Sequence, residues 1–108
     1  MRTLAGIEGE IRRIKQKLLR IDEMRPGSLT SQYHYYPNDK KYKYYQVSYT
    51  YNAKSHTDYV KSELVEDAKT QIRNYRTFKL LMKRWVDLAI QHARLKDKSK
   101  VDLAVKKK

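Results

Sequence analysis

The sequence contains no cysteine, so neither a disulfide nor a thiolate zinc site can stabilise the chain. Glycine and proline are scarce, at three and two residues, and no glycine-rich phosphate loop is present. No long apolar run occurs, which predicts neither a secretory signal nor a transmembrane helix. We therefore expect a cytoplasmic protein without membrane contact, whose stability comes from helix packing and from partners.

Acidic residues are also few. The 108 residues include twelve Asp and Glu and twenty-five Lys and Arg, which gives a formal net charge of +13. Such an excess in a short chain favours a polyanion as partner, and nucleic acid is the commonest one. A basic surface that only keeps the protein soluble is the alternative.

Features of enzymes and metalloproteins are missing as well. The three histidines, His34, His56 and His92, are too dispersed in the sequence for metal-ligand spacing. Neither a serine elbow nor an HExxH motif occurs. We therefore expect no metal, no cofactor and no enzymatic activity.

The N-terminal part of the sequence carries a heptad pattern. Apolar residues recur at alternating spacings of three and four: Leu4, Ile7, Ile11, Ile14, Leu18 and Ile21. The pattern stops at Arg25, and Pro26 disfavours helix at the residue before it. We predict a helix over residues 4–24 whose narrow apolar seam packs on another helix, within the chain or across a dimer.

The middle of the sequence changes to a period of two, which is typical of strands. Strands are predicted over residues 29–36, 42–51 and 57–61, with turns at 37–39 and 52–55. The more apolar face of the second strand is expected to pack on a helix and carries Tyr45, Val47, Tyr49 and Tyr51. Its other face, with Tyr42 and Tyr44, is expected to face solvent.

The C-terminal third is predicted to be one long helix. Ser62 is a plausible N-cap, and Glu63 and Glu66 place negative charge in the first turns, where the helix dipole favours it. A helix over 62–97 would be about 54 Å long, whereas a domain of this size has a radius of gyration of only about 13 Å. We therefore expect this helix to protrude or to pair.

These elements predict an α+β protein with an N-terminal helix, a three-stranded antiparallel, tyrosine-rich meander and a long C-terminal helix. Residues 1–97 would form a single domain, followed by a basic flexible tail over 98–108. The helices offer more apolar surface than one thin sheet can cover. We therefore expect a homo-oligomer or a subunit of a larger assembly.

Tyrosine is concentrated in the predicted sheet, where nine of the ten tyrosines lie between Tyr33 and Tyr59. A half-exposed tyrosine can stack on bases while neighbouring cations neutralise phosphates. The alternative is that tyrosine serves only as a good strand former. One small sheet cannot bury nine rings, which favours a ligand-binding role for part of the cluster.

Two sets of residues are predicted to bind nucleic acid. The first interleaves cations and rings beside the first turn of the meander: Lys40, Lys41, Tyr42, Lys43 and Tyr44. The second shares one helix face in a stretch without acidic residues: Lys69, Arg73, Arg76 and Lys83. The alternatives are a sheet edge protected by lysines and a solvated helix face.

A family resemblance covers about residues 20–90 and is carried by four stretches. They are Arg25-Pro26-Gly27-Ser28-Leu29, Tyr44-Tyr45-Gln46-Val47-Ser48-Tyr49, Tyr59-Val60 and Ile72-Arg73-Asn74-Tyr75-Arg76-Thr77-Phe78. The set is similar to a small bacterial family of unknown function, often found in mobile genetic elements near recombinases or transposases. The resemblance implies DNA as the polyanion. Members commonly carry a cysteine cluster after the first strand, and this sequence has none, so metal binding does not carry over.

The sequence thus predicts a non-catalytic nucleic-acid-binding protein, with DNA preferred, that is an accessory subunit of a mobile-element recombination or transposition machinery. Two other functions fit the same features. One is a helical assembly adaptor within a larger protein complex, and the other is an RNA-binding subunit of a ribonucleoprotein. The sequence pattern leaves open whether the nucleic acid is a duplex or a single strand.

Overall fold

The computed structural model describes residues 2–106 and has the α+β architecture expected from the sequence. The elements in chain order are α1 (Leu4–Leu19), β1 (Ser28–Tyr35), β2 (Lys41–Tyr51), β3 (Lys54–Val60), a single 3-10 turn (Ser62–Leu64) and α2 (Val65–Lys106). The predicted order of helix, antiparallel meander and long helix is confirmed.

The chain divides into two compact units. The sheet unit is Asp22–Thr77, and the helical unit combines the residues up to Ile21 with those from Phe78 onward. Helix α2 contributes its first turns to the sheet unit and the remainder to the helical unit.

The helical unit pairs α1 with the part of α2 that follows Phe78. Helix α1 begins after Thr3, whose hydroxyl accepts a hydrogen bond from the Gly6 amide at 3.0 Å. Glu10 contacts Arg84, and Glu8 contacts His92. The earlier residue of α1, Glu8, thus contacts the later residue of α2, His92. The two helices therefore run antiparallel.

The heptad seam of α1 faces α2 of the same chain. Ile7 and Ile14 are buried together with Leu88, around which Ile11 and Leu18 are half-buried. Leu4 and Ile21, the two ends of the seam, are also half-buried. The structure therefore has the first of the two arrangements that the sequence left open, which is packing within one chain.

The prediction that the first helix extends to residue 24 is wrong, since α1 ends at Leu19. The residues that follow bind to α2 within the sheet unit instead. The Asn74 side-chain amide donates to the Glu23 backbone carbonyl at 2.8 Å, and the Gln71 side-chain amide donates to the Glu23 carboxylate at 3.0 Å. The Arg25 backbone amide donates to the Gln71 backbone carbonyl at 3.1 Å. These tertiary hydrogen bonds outweigh the local preference for helix.

The sheet unit is built on one antiparallel sheet in the order β1-β2-β3. Its core contains Val47 and Val60 of the sheet together with three residues of α2, which are Val65, Ala68 and Ile72. Leu29, Tyr45 and Tyr49 pack half-buried against that core. The predicted core face of the second strand is confirmed for these two tyrosines and for Val47, whereas Tyr51 at the strand end is exposed.

Both predicted turns are present, and the second is tighter than expected. Asn52 and Ala53 have φ values of 51° and 63°, which suits a two-residue type I′ hairpin turn. Strand β3 therefore begins at Lys54, three residues before the predicted start at 57. The first turn, at residues 37–39, contains Asp39 with φ of 64°.

Gly27 occupies a position next to β2 that has no room for a side chain. Its φ is 123°, and an added Cβ would lie 2.7 Å from Val47 Cγ1 and 2.8 Å from the Ser48 carbonyl oxygen. Only glycine fits such a backbone conformation and such a close approach without strain. The residue thus lets the chain enter β1 directly against β2.

The limits predicted for α2 are wrong at both ends. Ser62 is not its N-cap, because the Ser62 hydroxyl donates to the Glu63 carboxylate at 3.4 Å and the chain enters α2 through a 3-10 turn. The helix continues to Lys106, so residues 98–106, predicted as a flexible tail, are helical; residues 107–108 lie outside the described residues. Among the helices in residues 2–106, none carries an apolar stretch that could cross a bilayer.

Candidate nucleic-acid interface

A groove in the sheet unit lies between α2 and the β1 edge of the sheet. Within residues 2–106, β1 pairs with β2 and with no strand on its other side. Two cavities of about 330 and 460 Å³ form the groove, and both are lined by Leu29 and Lys69. We call it the basic groove, because four cations, Lys43, Lys69, Arg73 and Arg76, line it together with one carboxylate, that of Glu66.

Three of these cations come from one face of α2, because residues separated by three or four positions are neighbours on a helix surface. Lys69, Arg73 and Arg76 are all exposed. The Lys69 ammonium lies 3.3 Å from the Glu66 carboxylate. Arg73 and Arg76 form no ion pair with any side chain that the structure describes. Two guanidinium groups, which favour bidentate contacts with phosphate, thus remain available to a ligand.

The hairpin of β1 and β2 contributes further cations and rings to the same face. Tyr33 is opposite Lys43 and Tyr35 is opposite Lys41 in the pairing register, so their side chains share a face with Tyr45. The Lys43 ammonium lies 5.4 Å from the ring centre of Tyr45 and 5.9 Å from that of Tyr33. The Lys41 ammonium lies 4.7 Å from the Tyr33 ring centre. These cation–π contacts keep both ammonium groups over the aromatic surface.

Tyr42 and Tyr44, expected beside these lysines, lie on the opposite face of the sheet because alternate residues of a strand point to opposite sides. The Tyr44 hydroxyl donates to the Gln32 side-chain oxygen at 2.7 Å, and its ring centre lies 6.0 Å from that of Tyr59. Tyr42 is exposed. The register thus divides the predicted Lys-Tyr cluster between two surfaces, and a role of these two rings in binding stays a prediction.

Three of the seven predicted cations are not among the lining residues of the basic groove, namely Lys40, Lys41 and Lys83. Lys40 lies in the turn before β2, where its carbonyl accepts a hydrogen bond from the Tyr36 amide at 2.8 Å. Lys83 is exposed on the part of α2 that belongs to the helical unit. The structure therefore brings together four of the predicted phosphate contacts, Lys43, Lys69, Arg73 and Arg76, in one groove.

Three residues of this surface were not assigned to a ligand from the sequence, namely Leu29, Tyr33 and Tyr35. Their position follows from the pairing register, since each pair of β1 and β2 positions is set by the turn that joins the strands. Placing that turn at residues 37–39 was correct. A hairpin centred on this turn has Tyr33 opposite Lys43.

The helical unit contains a second cavity, of about 410 Å³, between α1 and α2. Most of its polar groups have contacts within the cavity, since His92 Nε2 lies 2.9 Å from Glu8 Oε1 and the Lys15 ammonium lies 5.3 Å from the Trp85 ring centre. Arg12, which also lines the cavity, forms no ion pair with a side chain that the structure describes. In the described part of the chain, no group of three His, Cys, Asp or Glu residues comes together in a way that could hold a metal ion. This cavity thus offers fewer groups to a ligand than the basic groove does.

Glu10 links both helices of the helical unit electrostatically. Its carboxylate oxygen Oε2 accepts hydrogen bonds from Arg2 at 3.0 Å and from Arg84 at 3.1 Å. The hydrogen bond from Arg2, helped by the positive charges of both arginines, lowers the pKa of the Glu10 carboxyl from its ordinary value. The ion pair between Glu10 and Arg84 belongs to the contact between α1 and α2.

No family model, curated protein or solved structure matches this chain. The resemblance to a mobile-element family therefore stays a prediction. The basic groove and the charge of the chain are the observations from which a function can be inferred.

Proposed function

We propose that this protein is a non-catalytic nucleic-acid-binding subunit that contacts phosphates through the basic groove. One observation carries the proposal: Lys43 of β2 and three cations of α2 line adjoining cavities although they are distant in sequence. Glu66 offsets one of these charges through its contact with Lys69, and the remaining like charges repel each other unless a further anion lies between them. A phosphate backbone supplies such anions at regular intervals.

We further propose that the nucleic acid is DNA and that the protein serves a recombination or transposition machinery. This part rests on the family resemblance alone. The phosphates of RNA would make the same contacts with the groove, so the groove itself supports an RNA-binding subunit equally well.

The salt dependence of binding tests the proposal. Four phosphate contacts give a slope of log K against log salt of about −3.6 on duplex DNA and about −2.8 on a single strand. The double variant Arg73→Gln, Arg76→Gln should reduce that slope by about 1.8 on duplex or about 1.4 on a single strand. It should also weaken binding to every sequence alike, because phosphate contacts carry no sequence information. Fluorescence anisotropy titrations at several salt concentrations measure both effects.

A matched control changes the same net charge elsewhere on α2. Arg94 and Lys96 are exposed in the helical unit, so the double variant Arg94→Gln, Lys96→Gln should alter affinity and slope much less. Equal losses in both double variants would mean that total charge governs binding and that the groove has no special role. If polyglutamate of matched charge displaces nucleic acid as well as nucleic acid itself does, the groove does not prefer phosphates to carboxylates and the proposal fails.

A second function, an assembly adaptor, is favoured by apolar side chains exposed on the helical unit. Leu80 is 70% exposed and Leu19 is 86% exposed, and Val86 and Ile90 are exposed on one face of α2. Exposed apolar patches on a small protein mark contacts with other proteins. We expect the wild-type chain to form a homo-oligomer or a hetero-assembly, and the double variant Val86→Ser, Ile90→Ser to be monomeric. Light scattering coupled to size exclusion measures the mass, and a wild-type chain that stays monomeric at high concentration would contradict self-association through this face.

A further inference from the structure

We infer that the basic groove takes a single strand of nucleic acid, whose unpaired bases stack on Tyr33 and Tyr35 while its phosphates contact the groove cations. This inference rests on the proposed function and specifies the ligand of the same site. It assigns to binding two rings that do not line the groove themselves but share a sheet face with its lining residue Lys43.

The first observation is the exposure of the two rings. Tyr33 and Tyr35 lie on the face of the sheet that also carries the core, yet they are 45% and 69% exposed. They lie beyond the part of the sheet that α2 covers, since the sheet residues of the buried core are Val47 and Val60. Both rings are thus partly accessible to solvent; Tyr35 is the more open of the two, and Tyr33 shares its surroundings with the Lys41 and Lys43 ammonium groups.

The second observation is the spacing of the rings. The ring centres of Tyr33 and Tyr35 are 6.3 Å apart and the ring planes are inclined at 43°. Neighbouring bases along one strand of a duplex are only about 3.4 Å apart, and their faces are covered by each other. Two rings at this spacing therefore cannot each stack on successive bases of a duplex. They can each take one base of an extended strand whose bases have left the stack.

The third observation is the position of the cations relative to the rings. Lys41 and Lys43 lie over Tyr33, and Lys43 lines the same cavity as Lys69. Cations therefore extend from the rings toward Arg73 and Arg76 along α2, with Glu66 as the carboxylate among the lining residues. A positively charged groove with aromatic side chains beside it is the usual construction of single-strand binding sites.

The opposite face of the sheet offers rings without cations. Tyr42, Tyr44 and Tyr59 lie there, but the alternation of the three strands places none of their Lys or Arg residues on that face. A strand of nucleic acid stacked on that face would find no cation of these strands for its phosphates. Of the two sheet faces, the one that carries the groove has both aromatic rings and cations.

The experiment compares three probes of equal length on the full chain: oligothymidylate, oligouridylate and a DNA duplex. We expect either single-stranded probe to bind more tightly than the duplex at the same salt concentration. Tyr33→Ala and Tyr35→Ala should each weaken binding of the single strand about 5- to 150-fold. Both should leave affinity for the duplex nearly unchanged. The matched control Tyr59→Ala removes a ring that is 77% exposed on the other face and should change neither affinity. Thermal melting checks that each variant is folded.

The outcomes separate this inference from the proposed function. Duplex binding as tight as single-strand binding, still weakened by Arg73→Gln with Arg76→Gln, would overturn the inference and leave the proposed function standing. Single-strand binding that is indifferent to Tyr33→Ala and Tyr35→Ala, or equally lost in Tyr59→Ala, would overturn stacking in the groove. If none of the three probes binds, the proposed function falls and the inference falls with it.

Discussion

Replacing Gly27 with alanine should destabilise the sheet unit for two independent reasons. A residue with a side chain at φ of 123° is in a sparsely populated backbone conformation, which costs about 1–3 kcal/mol. Its Cβ would also overlap Val47 Cγ1 and the Ser48 carbonyl oxygen, at 2.7 and 2.8 Å. Val47 is fully buried, so it cannot move aside without opening the core, and overpacking of this kind costs about 1–3 kcal/mol.

The two contributions together predict a loss of about 2–6 kcal/mol in the free energy of unfolding. A small domain has only about 5–15 kcal/mol in total. Denaturant titration can follow each unit separately, because the single tryptophan, Trp85, lies in the helical unit and nine tyrosines lie between Tyr33 and Tyr59. The near-ultraviolet circular dichroism of tyrosine should shift to lower denaturant in Gly27→Ala.

Gly9→Ala is the matched control, with the opposite sign expected. Gly9 lies inside α1, and an added Cβ would meet only Arg13 Nη1, at an ordinary 3.9 Å. Alanine in a helix interior is favoured over glycine by about 0.5–1 kcal/mol, so the Trp85 fluorescence transition should move to higher denaturant. A Gly27→Ala protein as stable as the wild type would show that the chain enters β1 by a different backbone path from the one described.

Two further variants test other contacts. Glu10→Gln should remove a pH-dependent part of the stability of the helical unit, because the pKa of Glu10 is lowered in the folded chain. The stabilisation by the Glu10 carboxylate is complete above the ordinary glutamate pKa and disappears as the pH falls through the lowered value. The difference between wild type and variant in the Trp85 melting curve should therefore shrink in acid, and a difference that stays constant with pH would contradict the role given to Arg2. Tyr42→Ala should leave both the melting temperature and nucleic-acid affinity nearly unchanged if the groove is the binding site; weaker binding at an unchanged melting temperature would instead support the sequence prediction for that face.

The elements of this fold could be predicted because their periodicities differ clearly. Apolar residues spaced by three and four positions on α1 indicate a helix, and the period of two in β2 indicates a strand. The end of α1 could not be predicted, because it depends on hydrogen bonds from Gln71 and Asn74, about fifty positions further along the chain. The helical state of residues 98–106 was missed for another reason, since lysine-rich segments without proline or glycine fit a helix and a tail equally well.

The basic groove could be predicted only in part. The stripe formed by Lys69, Arg73 and Arg76 follows directly from helical spacing. That Lys43 lies beside this stripe depends on where α2 crosses the sheet, which no local pattern contains. Lys41 and Tyr42, which are predicted as one cluster, lie on opposite faces of the sheet because side chains alternate along β2.

The hydrogen bonds of Glu23 also bear on how the chain folds. The helical unit joins residues that are far apart in sequence, with Glu8 and His92 separated by 84 positions. Closing so long a flexible loop carries an entropic cost that grows with its length. The two hairpins of the sheet unit close turns of only a few residues, and contacts of low sequence separation form faster. We therefore expect the sheet unit to form first.

Once the sheet unit has formed, the bonds from Gln71 and Asn74 to Glu23 tie its first residues to its last turns of helix. The segment between Glu23 and Gln71 is then folded and no longer adds to the length of the flexible loop. When α1 then meets α2, the loop left to close is a small fraction of the original one, and the entropy lost is correspondingly smaller. The three hydrogen bonds at Glu23 and Arg25 thus lower the entropic cost of bringing α1 into contact with the C-terminal part of α2.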